Sequence, residues 1–181
     1  MDWLQWTPDT PAPAQQTLLP PTDWSKATYT YDPVGRRIQK KIDPCDPEDQ
    51  PWIQTYVYDG DQVIAEYDNA GALQRKYIHG PGMDRPVAMI ETTGQIAKTY
   101  FYHIDGLGSV IALSDPNGDP CQTYEYAIYG QVSAQDPNFT NPYLFTGQRF
   151  DVETGLYYLL SPTLLDPALL RLFPDYSTTP T

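Results

Sequence analysis

An aromatic doublet, tyrosine with one residue between, returns along this chain as Tyr29 and Tyr31, Tyr56 and Tyr58, Tyr77 and His79, Tyr100 and Tyr102, and Tyr124 and Tyr126. Successive doublets lie 27, 21, 23 and 24 residues apart. The glycines Gly71, Gly94 and Gly118 keep the same step, each preceded by polar turn formers such as Asp115-Pro116-Asn117. Between Tyr100 and Tyr126 the chain reads as strand, tight turn and strand, with β-branched and aliphatic residues over 109–113 and strand formers again over 121–126. One hairpin cannot bury its apolar face alone, whereas a stack of them can. The expected fold is therefore mainly β, with repeated antiparallel β-hairpins forming a curved or spiral strip.

Fifteen tyrosines among 181 residues favour sheet over helix, because the ring suits a half-buried pleated surface and its hydroxyl reaches water. The formal net charge of −12 disfavours nucleic acid and anionic membranes as partners. No apolar run is long enough to span a bilayer, so membrane insertion is not expected. The opening MDWLQWTPDTPAPAQQ lacks the basic and apolar regions of a secretory signal, and the expectation is a chain that is cytoplasmic as synthesised. Cys45 and Cys121 show no CxxC spacing and read as two ordinary thiols, a disulfide between them being the alternative. His79 and His103 have no ligand set at metal spacing and read as aromatic substitutes in their repeats, so neither a metal nor a cofactor is expected.

Residues 1–27 form a lead-in rich in proline and tryptophan, either disordered or an extended arm that docks its indoles. Residues 28–160 are the β strip, with strands expected over 37–42, 62–67, 73–78, 86–91, 95–102, 143–151 and 156–160. Alternation puts Val63, Ala65 and Tyr67 on one face and Ile64 on the other, so one face is packed and the other mixed. The basic cluster Arg36, Arg37, Lys40 and Lys41 reads as a solvated strand that blunts a sheet edge. Residues 161–181 are a degenerate tail whose apolar run suggests one or two helical turns.

Three stretches carry a resemblance. YTYDPVGRR looks like a YD repeat, YHIDGLGSVIALSDPNGDPCQTYEYAIYGQV is similar to a His-x-Asp-x-Leu-Gly-Ser segment, and NPYLFTGQRFDVETGLYY is followed by LLDPALLRLFPD. Together they resemble the YD-repeat proteins, specifically the core segment of the Rhs (rearrangement hotspot) and teneurin-like shell family. That resemblance implies a β strip spiralling into a hollow shell, which in bacterial members encloses a C-terminal toxin. Such members are often exported by specialised secretion or displayed at the cell surface. It also implies an aspartic self-cleavage site, falling on Asp151, Arg171 and Asp175. The chain departs from the family there, with Leu159 to Leu165 in place of a basic, tyrosine-rich segment, and Leu170 and Tyr176 in place of the glycine and proline of the motif. It also ends six residues after Asp175, so cleavage in cis is not expected and both Asp residues read as turn formers.

The expected function is a non-enzymatic structural fragment of an Rhs-type β shell. Its expected partners are other YD-repeat shell strands, a toxin cargo, or a second copy of the chain joined through open sheet edges. The alternatives are an aspartic self-processing core acting with a partner chain, and a binding module that presents exposed tyrosines to protein or carbohydrate.

Overall fold

The structure, a computed structural model, describes residues 16–17, 26–44, 46, 48–82, 84–158 and 164–165. Its strands are β1 (Gln16–Thr17), β2 (Lys26–Tyr31), β3 (Arg37–Asp43), β4 (Trp52–Asp59), β5 (Gln62–Tyr67), β6 (Leu73–His79), β7 (Pro86–Glu91), β8 (Lys98–Ile104), β9 (Val110–Ser114), β10 (Pro120–Tyr126), β11 (Val132–Ala134), β12 (Arg149–Asp151), β13 (Leu156–Tyr158) and β14 (Leu164–Leu165). The first eleven form one sheet in the order β1-β11-β10-β9-β8-β7-β6-β5-β4-β3-β2, and the last three form a second, β12-β13-β14. Neighbouring strands of the long sheet are antiparallel throughout.

Four of the turns share one device. An aspartate directly after a strand accepts the backbone N–H groups of the second and fourth residues beyond it: Asp32 from Val34 and Arg36, Asp68 from Ala70 and Ala72, Asp105 from Leu107 and Ser109, Asp115 from Asn117 and Asp119. The glycine three residues after each aspartate has positive φ, which a Cβ would oppose. Gly94 does not join this set. It lies in a wider bend over 92–97, which delays β8 to Lys98 rather than the expected residue 95.

The strip is curved, and chain connectivity requires it. β1 and β2 stand ten strand spacings apart, about 48 Å if the sheet were flat. The nine peptide steps from Thr17 to Lys26 reach at most about 32 Å. Likewise the Tyr157 hydroxyl donates to the Gly130 carbonyl in the turn after β10, while that of its neighbour Tyr158 accepts from the Arg37 backbone N–H on β3. Those strands are seven spacings apart, about 34 Å when flat. Two adjacent side chains meet both only because the sheet curls around them.

The concave face is packed and carries the doublets. Tyr56, Tyr77, Met89, Tyr100, Leu113 and Tyr124 line it, and Tyr143, Leu144, Phe150 and Tyr157 of the returning segment 141–158 fill the hollow. Each such side chain contributes roughly 1.5–3 kcal/mol by leaving water. The convex face is mixed, with Val57, Ile64, Ile78, Val87, Phe101 and Ile111 exposed among polar residues.

Three expectations need correction. Strict alternation fails because one extra residue bulges out near the start of the second strand of several hairpins. Tyr58 pairs with Val63 but Val57 with Ala65, leaving Ile64 unpaired, so Glu66 rather than Ala65 or Tyr67 joins Val63 on the tyrosine face. The expected strand over 143–151 is broken by a 3-10 turn at Phe145–Gly147, where Thr146 and Gly147 adopt φ of 51° and 71°. In the tail, Leu164–Leu165 is a strand paired with β13, and the rest of the apolar run expected to turn helical lies outside the described residues.

Candidate functional site

The same bulge builds the most heavily charged part of the molecule. In β3 Tyr31 pairs with Arg37 and Thr30 with Gln39, so Ile38 is extra and Arg37 and Lys40 share the concave face although three residues apart. Lys40, Glu66, Met89 and Leu113 thereby occupy one equivalent position, each paired with a tyrosine of a doublet: Tyr29, Tyr56, Tyr77 and Tyr102. In two repeats the residue is apolar. In the other two it is a cation and an anion, both facing inwards.

The returning segment supplies the opposite charges. Arg149 and Asp151 lie two apart on β12 and so project to one side. Asp151 accepts from Arg37 Nη1 at 2.5 Å and Nη2 at 3.2 Å, from Lys40 Nζ at 3.1 Å and from the Tyr29 hydroxyl at 3.2 Å. Lys40 also donates to Glu153 at 2.9 Å. Arg149 donates to Glu66 and to the Tyr143 hydroxyl, and Arg75 donates to Glu66 at 3.2 Å. Relative exposure is 0% for Glu66, 1% for Arg37, 2% for Asp151 and 5% for Lys40. Charges this deep persist only when paired.

The tyrosines complete the pairing. The Arg37 guanidinium lies 4.5 Å from the ring centre of Tyr158 and 5.0 Å from that of Tyr29, and the Arg149 guanidinium 4.7 Å from Tyr56 and 5.2 Å from Tyr143. Burial alone would raise the Asp151 pKa, but Lys40 and Arg37 outweigh it and hold the carboxyl below its ordinary value. Glu66 behaves alike, raised by burial and lowered more by Arg149 and Arg75. Burial, reinforced by the Asp151 charge, pushes the Tyr29 hydroxyl up to about 12. Both carboxyls are therefore anions at neutral pH.

A cleft of about 660 Å³ opens beside these ion pairs, with Trp52, Phe139, Lys40, Glu66, Arg149 and Asp151 among the residues lining it. These charged groups are committed to one another, Lys40 to Asp151 and Arg149 to Glu66. Ionised Asp151 holds no proton to donate to a leaving group at neutral pH, and its oxygens are engaged by Arg37, Lys40 and Tyr29. Among the described residues no group of three or more His, Cys, Asp or Glu is arranged to hold a metal.

Of the residues expected from the sequence, Asp151 lies at the centre of this cluster, while Arg171 and Asp175 lie outside the described residues, as does Cys45. Asp151 ends β12, and its carbonyl accepts from Thr154 and Gly155 in the turn that follows. Its carboxylate turns inwards to the two cations. The solvated basic edge is corrected for Arg37 and Lys40, which are core ion-pair partners; Arg36 does reach solvent, bridging to Asp32 at 2.7 Å. Glu66, Arg75 and Arg149 were not anticipated. A charge three residues beyond the first inward residue after a turn was the available signal. Tyr129 is the one exposed tyrosine among the described residues, which leaves little for a tyrosine-presenting binding surface.

No family model matches the chain. It is 34% identical over 140 residues to the tRNA nuclease WapA of Bacillus subtilis, covering 75% of this chain and 6% of that protein. It is 33% identical over 134 residues to the probable deoxyribonuclease RhsA of Dickeya dadantii, covering 72% of this chain and 9% of that one. The chain is related to a segment of the WapA and Rhs toxins. With the double-stranded DNA deaminase toxin A of Burkholderia cenocepacia it shares 26% identity over 152 residues, across 10% of that protein's length. Among solved structures, TcdB2-TccC3-TEV superposes with a TM-score of 0.59 at 18% identity, covering 79% of this chain and 7% of that one, and TcdB2-TccC3-Cdc42 with 0.57 at 17%, covering 78% and 7%. These two structures speak to the fold alone. The chain spans about a tenth or less of the relatives it matches, and the nuclease and deaminase activities in their names are those of the whole proteins.

Proposed function

We propose that this chain acts as a non-enzymatic structural segment of an Rhs-type shell of the YD-repeat, teneurin-like form, pairing with further shell strands and contributing to the wall around a toxin cargo. The observation that carries this reading is the curved antiparallel strip, whose concave face is filled by its own returning segment and whose edge strand β2 has no neighbour on its outer side among the described residues. A strand of alternating threonine and tyrosine, with Lys26, Thr28 and Thr30 exposed, is a ready template for another strand. The test is light scattering of the purified chain alone and with neighbouring shell repeats supplied separately. A defined complex that is lost when Thr28 is replaced by proline supports the reading. A monodisperse monomer that ignores added repeats overturns it.

A second reading is favoured by the place of Asp151 in the cleft wall: an aspartic self-processing core working with a partner chain through Asp151, Arg171 and Asp175. Under this reading, replacing either Asp151 or Asp175 with asparagine abolishes cleavage of a co-expressed full-length shell protein. Unchanged cleavage removes it.

A further inference from the structure

The second member of three of the doublets has a recurrent task. Tyr58 donates its hydroxyl hydrogen to the Arg37 carbonyl at 2.8 Å, and Tyr126 donates to the Val110 carbonyl at 2.5 Å. Each of these carbonyls belongs to the residue that pairs with the position before the turn in the preceding hairpin unit. His79 stands at the equivalent place and does the same work, its Nε2 lying 2.8 Å from the Val63 carbonyl. An acceptor at that distance puts the imidazole hydrogen on Nε2, and the neutral ring then has a bare Nδ1. That atom is buried and has no hydrogen-bond partner among the described residues.

His79 also sits where the returning segment is pinned to the hairpin of β6 and β7. Its ring packs edge-on against Tyr143 with centroids 5.5 Å apart. Nearby, Gln148 donates to the Asp84 carboxylate at 2.7 Å, and a Cβ on Gly147 would fall 2.0 Å from the Asp84 carbonyl oxygen. Asp84 and Thr146, on the two sides of this contact, are the non-glycine residues with positive φ among the described residues, at 54° and 51°. Backbone held in that region costs energy and persists only while the surroundings enforce it. Beside His79, Asp84 and Gln148 lies a small, partly open pocket of about 30 Å³, room for a single water molecule.

We propose that His79 is a proton-sensitive pin that holds the returning segment against the β6–β7 hairpin while its ring is neutral and releases it when Nδ1 is protonated. The charged and titratable groups facing the ring are Asp84 on the hairpin loop, Arg149, Tyr143 and Tyr158 on the returning segment, Asp61 at the pocket wall, and Tyr58 and Tyr77 on β4 and β6. Burial and Arg149 disfavour the imidazolium, outweighing the Val63 carbonyl and Asp84, and hold the His79 pKa below its ordinary 6.5. Asp84 is raised, chiefly by burial, so acid also weakens an anion that could welcome the new charge. Burial keeps Tyr58, Tyr77 and Tyr143 protonated throughout this range. A group whose pKa is depressed in the closed state loses stabilising effect as pH falls from the open-state value to the closed-state value. Opening of the latch therefore rises by up to tenfold per pH unit below about 6.5 until the closed-state pKa is reached.

The chain holds two histidines, so a nuclear magnetic resonance titration of histidine-labelled protein separates His79 from His103, with His103→Gln for assignment. The expected result is an Nε2–H tautomer for His79 and a titration midpoint below the ordinary 6.5. Hydrogen exchange in residues 80–86 and 141–149 should quicken with acid through that midpoint, while exchange in β9 and β10 does not. His79→Tyr is built to fold, because other repeats place tyrosine at this position, and it should abolish the acid-driven increase. An ordinary His79 midpoint, or the same acid-driven opening in His79→Tyr, overturns the proposal.

Discussion

Replacing Asp151 with asparagine keeps the shape of the side chain and deletes the charge that answers Arg37 and Lys40. Both cations would remain almost wholly buried, Lys40 retaining Glu153 and Arg37 retaining only aromatic faces. Taking one partner from a buried ion pair costs about 3–5 kcal/mol, because the survivor stays desolvated and uncompensated. In a domain of this size each kcal/mol lowers Tm by roughly 2–4 °C, so Asp151→Asn should melt about 6–20 °C below the parent. Urea unfolding followed by tyrosine circular dichroism should show a lower midpoint at unchanged slope. The pH dependence has a definite sign. The folded-state pKa of Asp151 lies below its ordinary 3.8, so its contribution is complete above that value and drains as pH falls through the lower one. The parent and variant curves should therefore converge in strong acid. Adding Arg37→Met to Asp151→Asn should recover part of the loss, since a well-packed apolar side chain leaves no stranded charge. A loss below about 1 kcal/mol, or curves that stay parallel into acid, would refute the reasoning that this carboxylate locks β12 to β3.

Further outcomes follow from the same geometry. Glu66→Gln strands Arg149 and leaves Arg75 with the Thr140 hydroxyl at 2.6 Å and Glu91 at 3.8 Å, and should cost about 3–5 kcal/mol in urea unfolding. Gly147→Ala places a methyl group against the Asp84 backbone at a φ of 71° and should prevent docking of residues 141–149, read as loss of hydrogen-exchange protection there. Gly60→Ala, with φ of 57° but open space, should cost only about 1–2 kcal/mol. Asp105→Ala removes the acceptor of two turn N–H groups and should cost about 1 kcal/mol by thermal unfolding, a neutral result being evidence that solvent replaces both bonds.

Local chemistry made much of the strip legible in advance. The boundaries of β5 and β7 coincide with the stretches of β-branched and aliphatic residues that suggested them. The turns of Asp32, Asp68 and Asp115 follow from an aspartate followed three residues later by glycine, because carboxylate and backbone close the turn within five residues. Tyrosine content, hairpin period and mixed outer face are likewise properties of neighbouring residues, which is why they can be read from order alone.

The charged cluster was not legible, and the reason is distance along the chain. Lys40 looks like a solvated cation until a carboxylate 111 residues later is folded against it. Whether Arg37 and Lys40 share a face depends on one bulged residue, Ile38, and a shift of one residue in pairing exchanges the two faces of a strand. Sequence by itself determined that hairpins form, where most of them turn, and that tyrosines line them. Only tertiary structure decided how far the strip curls, which charges are buried, and that segment 141–158 fills the hollow. Those outcomes depend on a few long-range ion pairs and on backbone held in left-handed conformations by groups remote in sequence, and neither is encoded in any single stretch.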